Sequence, residues 1–349
     1  MENKESSTDN PVCGSASSET SQTGLSVLPS FGIVIAGHGS RNKKGVGQFE
    51  AMAEDFQSAY PNTPLTYGFL EFSKPTIEEA IEENIKKGAK QIAIVPAILL
   101  GAMHLKNDIP SEIQYMQKKY PDIRMKFGAP LQLHPTVLRV CREKIIDAES
   151  SANAIVPRKD TCLVIVGRGT TDPDANSQVY KLARLLEEGM GFGASTVCYS
   201  GTADPDLKQG LRKAQSLGYK RIITFPFFLF TGILIRRITD AIDDFANSFP
   251  ELEVLKASYI GTHPLILETL YERATDAING EVVSDCGLCK YRTQIVGYEN
   301  EVGQPQQAHH LKVRANADGS TQAPMQLPTW NSNLNPNDST PTEPENENF

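Results

Sequence analysis

A chain of 349 residues, 40% hydrophobic and 22% charged, is long enough for two domains with ordinary cores. Its net charge of -8 weighs against a general nucleic-acid binder, which carries excess Lys and Arg, so no nucleic-acid partner is expected. No stretch approaches the roughly 20 apolar residues of a membrane helix, and residues 1–28 lack the basic start and apolar core of a signal peptide, so a cytoplasmic protein without a membrane partner is expected. The six cysteines are scattered, which without a secretory signal favours free thiols over a disulfide framework.

Residues 1–28, rich in Ser, Thr, Glu and Gly, predict a disordered tail. The run Phe31–Ala36 is short, β-branched and free of charge, so it predicts a buried parallel strand. Gly37-His38-Gly39-Ser40-Arg41 then opens a tight turn. A helix over Lys43–Ala59, a strand over Leu65–Leu70, a helix over Pro75–Lys87 and a strand over Gln91–Pro96 follow. After a loop over Ala97–Met103 come a helix over Leu105–Lys119, a strand over Ile123–Phe127 and a helix over Pro135–Ala148. Pro75 is placed at the first helical position, where its missing N–H costs nothing, with Glu78 and Glu79 facing the positive helix end. Alternating βα units predict an α/β fold, a parallel sheet covered by helices.

The pattern then repeats at a constant offset. Gly37 recurs as Gly167, Gly39 as Gly169, Pro75 as Pro205, Gly88 as Gly218 and Pro96 as Pro226; after a one-residue deletion His134-Pro135 recurs as His263-Pro264. These are turns and strand ends, where backbone geometry restricts the residue type. The reading is a tandem duplication, with an N-terminal domain over residues 29–150 and a C-terminal repeat over 151–280, joined near Glu149–Asp160. Each would hold a four-stranded parallel sheet, with a cleft between the two about a pseudo-twofold axis. Residues 281–314 form an extension with Cys286-Gly287-Leu288-Cys289 and His309-His310, and residues 315–349 a second disordered tail.

In open parallel sheets ligands bind at the carboxyl ends of the strands, which brings His38, Glu71 and His104 to one rim. The second half carries Arg168, Gly201 and Leu234 at the equivalent positions. A scaffold role would keep similar side chains in both halves, so the asymmetry assigns chemistry to the first. Neutral imidazole, with a pKa near ~6.5, ligates a metal or accepts a proton, and nitrogen and oxygen donors suit Co²⁺, Fe²⁺, Ni²⁺ or Zn²⁺. Taken singly, each residue also has an ordinary reading, a turn histidine bonded to backbone or a solvated glutamate. Lys106 pairs with Arg236 and Asn107 with Arg237 across the repeat, so positive charge persists on the matching segments, which suits a substrate with several carboxylates. Arg41, Lys43 and Lys44 form a second basic cluster, open to carboxylate binding or to simple solvation. His134 and His263, each before a proline, read as capping or packing residues, and Cys141, Cys162 and Cys198 as buried small apolar residues.

Gly37-His38-Gly39-Ser40-Arg41, Gly68-Phe69-Leu70-Glu71-Phe72 and His104-Leu105-Lys106-Asn107-Asp108-Ile109-Pro110, in this order within a duplicated fold, resemble the class II tetrapyrrole chelatases. Among these the chain is similar to the long-form sirohydrochlorin cobaltochelatases and ferrochelatases (CbiX/SirB-like) over roughly Phe31–Ala277. The resemblance implies a lyase that inserts Co²⁺ or Fe²⁺ into sirohydrochlorin, an octacarboxylate macrocycle, with release of two protons, in cobalamin or sirohaem biosynthesis. It implies that His38 and His104 bind the metal and take part in proton removal, with Glu71 as the acidic member. Ser40, Arg41, Lys106, Arg168 and Arg236 are the expected substrate contacts. Some long-form members carry an iron–sulfur cluster on a Cys-x-x-Cys and a histidine-rich tail, which Cys286 and Cys289 resemble in part, with two thiolates where a cluster usually takes four protein ligands. A redox-active dithiol or a metal-collecting tail are the alternatives there. For the whole chain the alternatives are a non-catalytic tetrapyrrole or metal carrier and a histidine phosphatase, against which stands the order Gly37-His38 in place of Arg-His-Gly. A monomer or a homodimer is expected.

Overall fold

Strand β1 (Gly32–Gly37) is buried along its whole length, as its uncharged β-branched sequence requires. In the computed structural model, which describes residues 31–281, 296–302, 314–315 and 321–322, it lies at the centre of the first of two parallel sheets. The first half continues as α1 (Lys43–Ala59), β2 (Leu65–Phe69), α2 (Ile77–Lys86), β3 (Gln91–Pro96), α3 (Ile109–Lys119), β4 (Arg124–Phe127) and α4 (Pro135–Ser150). The second repeats it as β5 (Thr161–Gly167), α5 (Pro173–Met190), β6 (Ala194–Tyr199), α6 (Leu207–Ser216), β7 (Arg221–Pro226), α7 (Ile233–Ser248), β8 (Glu253–Lys256) and α8 (Pro264–Asn279). The strand orders are β2-β1-β3-β4 and β6-β5-β7-β8, with every pair parallel. Residues 1–28, Cys286, Cys289, His309 and His310 lie outside the described residues. Among the described residues no helix is long and apolar enough to cross a membrane.

Local sequence explains the element ends. Asn42 caps α1, its side chain accepting from the Lys44 and Gly45 N–H groups. Thr76 and Glu79 form a capping box at α2, and Asp206 and Gln209 repeat it at α6. Pro75 therefore stands before the cap and not at the first helical position; its carbonyl accepts from the Phe69 N–H at 2.8 Å, tying the approach to α2 onto β2. Pro205 does the same for Tyr199 at 2.9 Å, and both prolines follow cis peptide bonds. The helix expected from Leu105 is preceded by a π-helical turn, His104–Asp108, before α3 begins.

Alternation along the strands divides the core. Ile33 and Ile35 face one cluster and Val34 and Ala36 another, and Leu163 and Ile165 share the cluster of Ile33 and Ile35. Each buried Ile or Val contributes about 1.5–3 kcal/mol, so this continuous apolar layer joins the halves firmly. Helices α2 and α3 cover the outer face of the first sheet, and α6 and α7 that of the second. Between the sheets the terminal helices are exchanged: α8 packs on β3 and β4, while α4 packs on β7 and β8. His134 and His263 cap α4 and α8, each Nδ1 accepting a backbone N–H. Each Nε2 also reaches an acid of the other half, His134 to Glu272 at 3.3 Å and His263 to Glu143 at 3.2 Å. Cys141, Cys162 and Cys198 are free and buried, and burial pushes the Cys162 and Cys198 thiols up to about 12.

Candidate active site

His38 leaves the carboxyl end of β1, where its carbonyl accepts from the Glu71 N–H at 3.0 Å. Between these two residues the chain is too close for a side chain. Gly39 has φ +89°, and a Cβ there would stand 1.7 Å from the Glu71 carbonyl oxygen. We expect Gly39→Ala to destabilise the fold by at least ~2 kcal/mol, read as a lower urea midpoint. An unchanged midpoint would mean the turn tolerates a different path. Ser40 fastens the same turn, its N–H donating to Ser73 Oγ at 3.2 Å and its Oγ accepting from the Asn42 N–H at 3.0 Å.

His104 begins the π-helical turn beyond β3, and its ring meets that of His38 edge-on, with centroids 4.5 Å apart at 87°. The second nitrogen of each ring is already committed. His38 Nδ1 lies 3.1 Å from the Gly39 carbonyl, and His104 Nδ1 lies 2.7 Å from Asp108 Oδ2. Carbonyl and carboxylate oxygens accept, so each Nδ1 is placed to donate, and in a neutral ring Nε2 is the nitrogen left to ligate. Asp108 is itself held by Asn107, whose Nδ2 donates to Oδ1 at 2.8 Å. Were His104 to ligate Co²⁺, Asp108→Ala would weaken that binding by about 10–100-fold, the usual cost of losing the group that orients a ligating imidazole. Isothermal titration checks this, and an unaltered affinity would remove Asp108 from the site.

Glu71 lies behind the two rings, 7% exposed, with Oε1 at 3.3 Å from His38 Nε2. Burial pushes its carboxyl up to about 7; the Asp108 charge adds to this, and His104, Arg168 and Arg41 oppose it. At neutral pH the group is poised between acid and carboxylate. One donor atom each from His38, Glu71 and His104 falls within 4.8 Å of the others, so the three predicted residues do converge. Two imidazole nitrogens and one carboxylate oxygen suit a borderline divalent metal and leave coordination positions for a second ligand.

The imidazoles open onto a cleft of about 750 Å³ built by both halves, large enough for a sizeable ligand. Arg41 and Arg168 stand on its rim, and Phe228, Phe230 and Ile233 supply an apolar wall from the second half. Leu234, the counterpart of His104, also faces this cleft. Arg41 lies over the Phe72 ring, 4.8 Å from its centroid, and that ring stacks on His38 at 6.2 Å. Phe72 has φ 60°, an uncommon backbone state for a bulky residue. Two expected substrate contacts lie elsewhere. Arg236 is exposed and is not among the residues lining the cleft. Lys106 turns into the seam between the halves, its Nζ 2.8 Å from Asp172 and 2.9 Å from Asp174. Burial alone would lower its pKa, but the two aspartates outweigh that and raise it. The sequence motifs assign no role to Asp108 or Phe72, and Asn107 enters only as the counterpart of Arg237. The His104-x-x-x-Asp108 spacing was the available signal for the orienting acid. For Phe72 and Arg41 it was their replacement by Thr202 and Thr171 in the repeat.

Comparison with known proteins finds the same duplication. The family model CbiX matches residues 32–148 and again 162–277. A sirohydrochlorin cobaltochelatase of Priestia megaterium is 33% identical over 266 residues, covering 76% of this chain and 85% of its own length. A sirohydrochlorin ferrochelatase of the same organism is 34% identical over 231 residues, 66% of this chain and 84% of its own. The solved structure of SirB from Bacillus subtilis with Fe³⁺ is 31% identical, superposes with a TM-score of 0.63, and covers 72% of this chain and 96% of that one. With both halves matched and the fold shared, the chain belongs to the CbiX family.

Proposed function

We propose that this protein is a sirohydrochlorin chelatase, inserting Co²⁺ or Fe²⁺ into the free-base macrocycle with loss of two pyrrole protons. The observation that carries this reading is the convergence of His38, Glu71 and His104, with the two histidines lining a cleft whose opposite wall comes from the second half. Relatives that bear the cobaltochelatase and ferrochelatase names stand at 33% and 34% identity, and both metals suit this donor set.

The chemistry follows from the residues. The two Nε2 atoms hold the metal, and among the described residues no thiolate joins them to bind it too tightly to leave. Arg41 and Arg168 on the rim pair with carboxylates of the macrocycle, where a guanidinium binds bidentately, and Phe228, Phe230 and Ile233 accept its flat apolar surface. As the metal leaves, Glu71, already disposed to hold a proton near neutral pH, takes one proton and a freed imidazole another. Both walls come from one chain, so a monomer suffices. The test is anaerobic: purified protein with sirohydrochlorin, the absorbance followed on adding Co²⁺ or Fe²⁺. Insertion above the uncatalysed rate supports the chelatase. Macrocycle binding with no added rate would make the protein a carrier.

A further inference from the structure

Lys106 stands two residues beyond His104 on the same π-helical turn, and its ammonium closes on Asp172 and Asp174 at the start of the second half's α5. The three side chains are 6%, 4% and 4% exposed. Asp172 ends the loop that begins at Arg168, so the triad joins the turn bearing His104 to the loop bearing the second half's cleft arginine.

Two observations separate this cluster from ordinary interdomain adhesion. Burying three charges is a poor route to stability, because desolvation often exceeds the mutual attraction and apolar groups of similar volume do as well or better. The duplication supplies the second. The counterparts of Lys106, Asp172 and Asp174 are Arg236, Asn42 and Lys44, a set without an anion, and Arg236 is exposed. At that end the halves meet through Gln48, whose Nε2 donates to the Tyr259 hydroxyl at 2.7 Å and whose Oε1 accepts from the Thr231 N–H at 2.8 Å. Of the two equivalent positions, the one beside His104 carries the charged clamp.

We propose that Lys106, held by Asp172 and Asp174, is a positioning residue for metal transfer, locking the His104 turn to the Arg168 wall so that metal donors and macrocycle keep a fixed separation. This deepens the chelatase reading and rests on it. Transfer between two bound partners is sensitive to their spacing, and a misplacement of about 1 Å costs on the order of 100-fold. Without the clamp Asp108 still orients His104, and Arg168 still reaches the substrate. Metal loading and macrocycle binding survive, and only their relative placement is lost.

Lys106→Met alone would leave two buried aspartates facing each other, so the informative variant is K106M/D172N/D174N, in which Asp172→Asn keeps a cap acceptor for α5. Its thermal midpoint, its Co²⁺ affinity in the absence of macrocycle and its KM for sirohydrochlorin should stay near wild type, while kcat falls by about 10-fold or more. Lys106→Arg in the intact chain should recover most of kcat. Wild-type kcat in the triple variant overturns the proposal, as does a loss of Co²⁺ affinity equal to the loss of kcat, which would make the cluster a support for His104 alone. If wild-type protein inserts no metal, the chelatase reading has failed, and the clamp is judged on hydrogen exchange. The amides of Leu105–Asp108 should then exchange about 10-fold faster in the triple variant than in wild type or Lys106→Arg, and unchanged exchange overturns the lock.

Discussion

Alanine in place of both His38 and His104 is expected to slow metal insertion into sirohydrochlorin by at least ~100-fold, since loss of the orienting group behind a single ligand already costs 10–100-fold. The substitution removes both Nε2 donors and leaves the buried Glu71 carboxyl behind them. The fold should survive it, because the two imidazoles remain 27% and 20% exposed and stand outside the apolar core. Circular dichroism and the thermal midpoint serve as the structural control, and anaerobic absorbance at several Co²⁺ concentrations reads the rate. A double variant that inserts metal at the wild-type rate would show that the ion reaches the macrocycle by another route.

Glu71→Gln should produce a variant that is less active yet more stable, and the size of the stability gain depends on pH. The folded carboxyl titrates at about 7 against 4.5 for the ordinary group, so the native state holds its proton where the unfolded chain has lost it. The stability this contributes is complete below pH 4.5 and is lost as pH rises through about 7. Above that, wild-type protein keeps a buried carboxylate at some expense, which a neutral amide of the same shape avoids. With allowance for water on the cleft side, the gain at pH 8 is about 2 kcal/mol, falling to nearly nothing at pH 4.5. Urea titrations at both pH values measure it, and equal midpoints for variant and wild type at pH 8 would show that burial does not strain this group. A carboxylate beside the two Nε2 atoms favours a cation there, so Co²⁺ affinity of wild-type protein should fall as pH drops below about 7, and more steeply than in Glu71→Gln.

The parallel strands and their order of appearance were legible because buried strands and helical stripes write themselves directly into hydrophobic period, and the repeat checked each element twice. The three converging residues were legible for the same reason: His38, Glu71 and His104 follow strand ends, and their counterparts Arg168, Gly201 and Leu234 differ. Direction of a long side chain was not. Lys106 and Arg236 occupy equivalent positions, yet one ammonium is drawn inward by two aspartates of the other half and the other cation stays in solvent. That choice depends on partners 66 and 68 residues away in sequence. The π-helical turn at His104–Asp108 was read as plain loop and helix, since its composition suits either. Pro75 was placed inside α2 because proline suits a first helical turn, whereas the Thr76–Glu79 capping box puts the boundary after it.

The exchange of α4 and α8 makes this chain a swapped dimer closed into one polypeptide. Cutting it near Glu149–Asp160 would yield two interlocked fragments and no independent domain, because each piece carries the helix that roofs the other's sheet. A first half expressed alone would leave the β3–β4 face bare where α8 belongs, and could cover it only by trading α4 with a second copy. Such a pair would carry two complete sets of His38, Glu71 and His104 facing one another, where the fused chain retains a single set and has given the opposing wall over to arginine and apolar side chains.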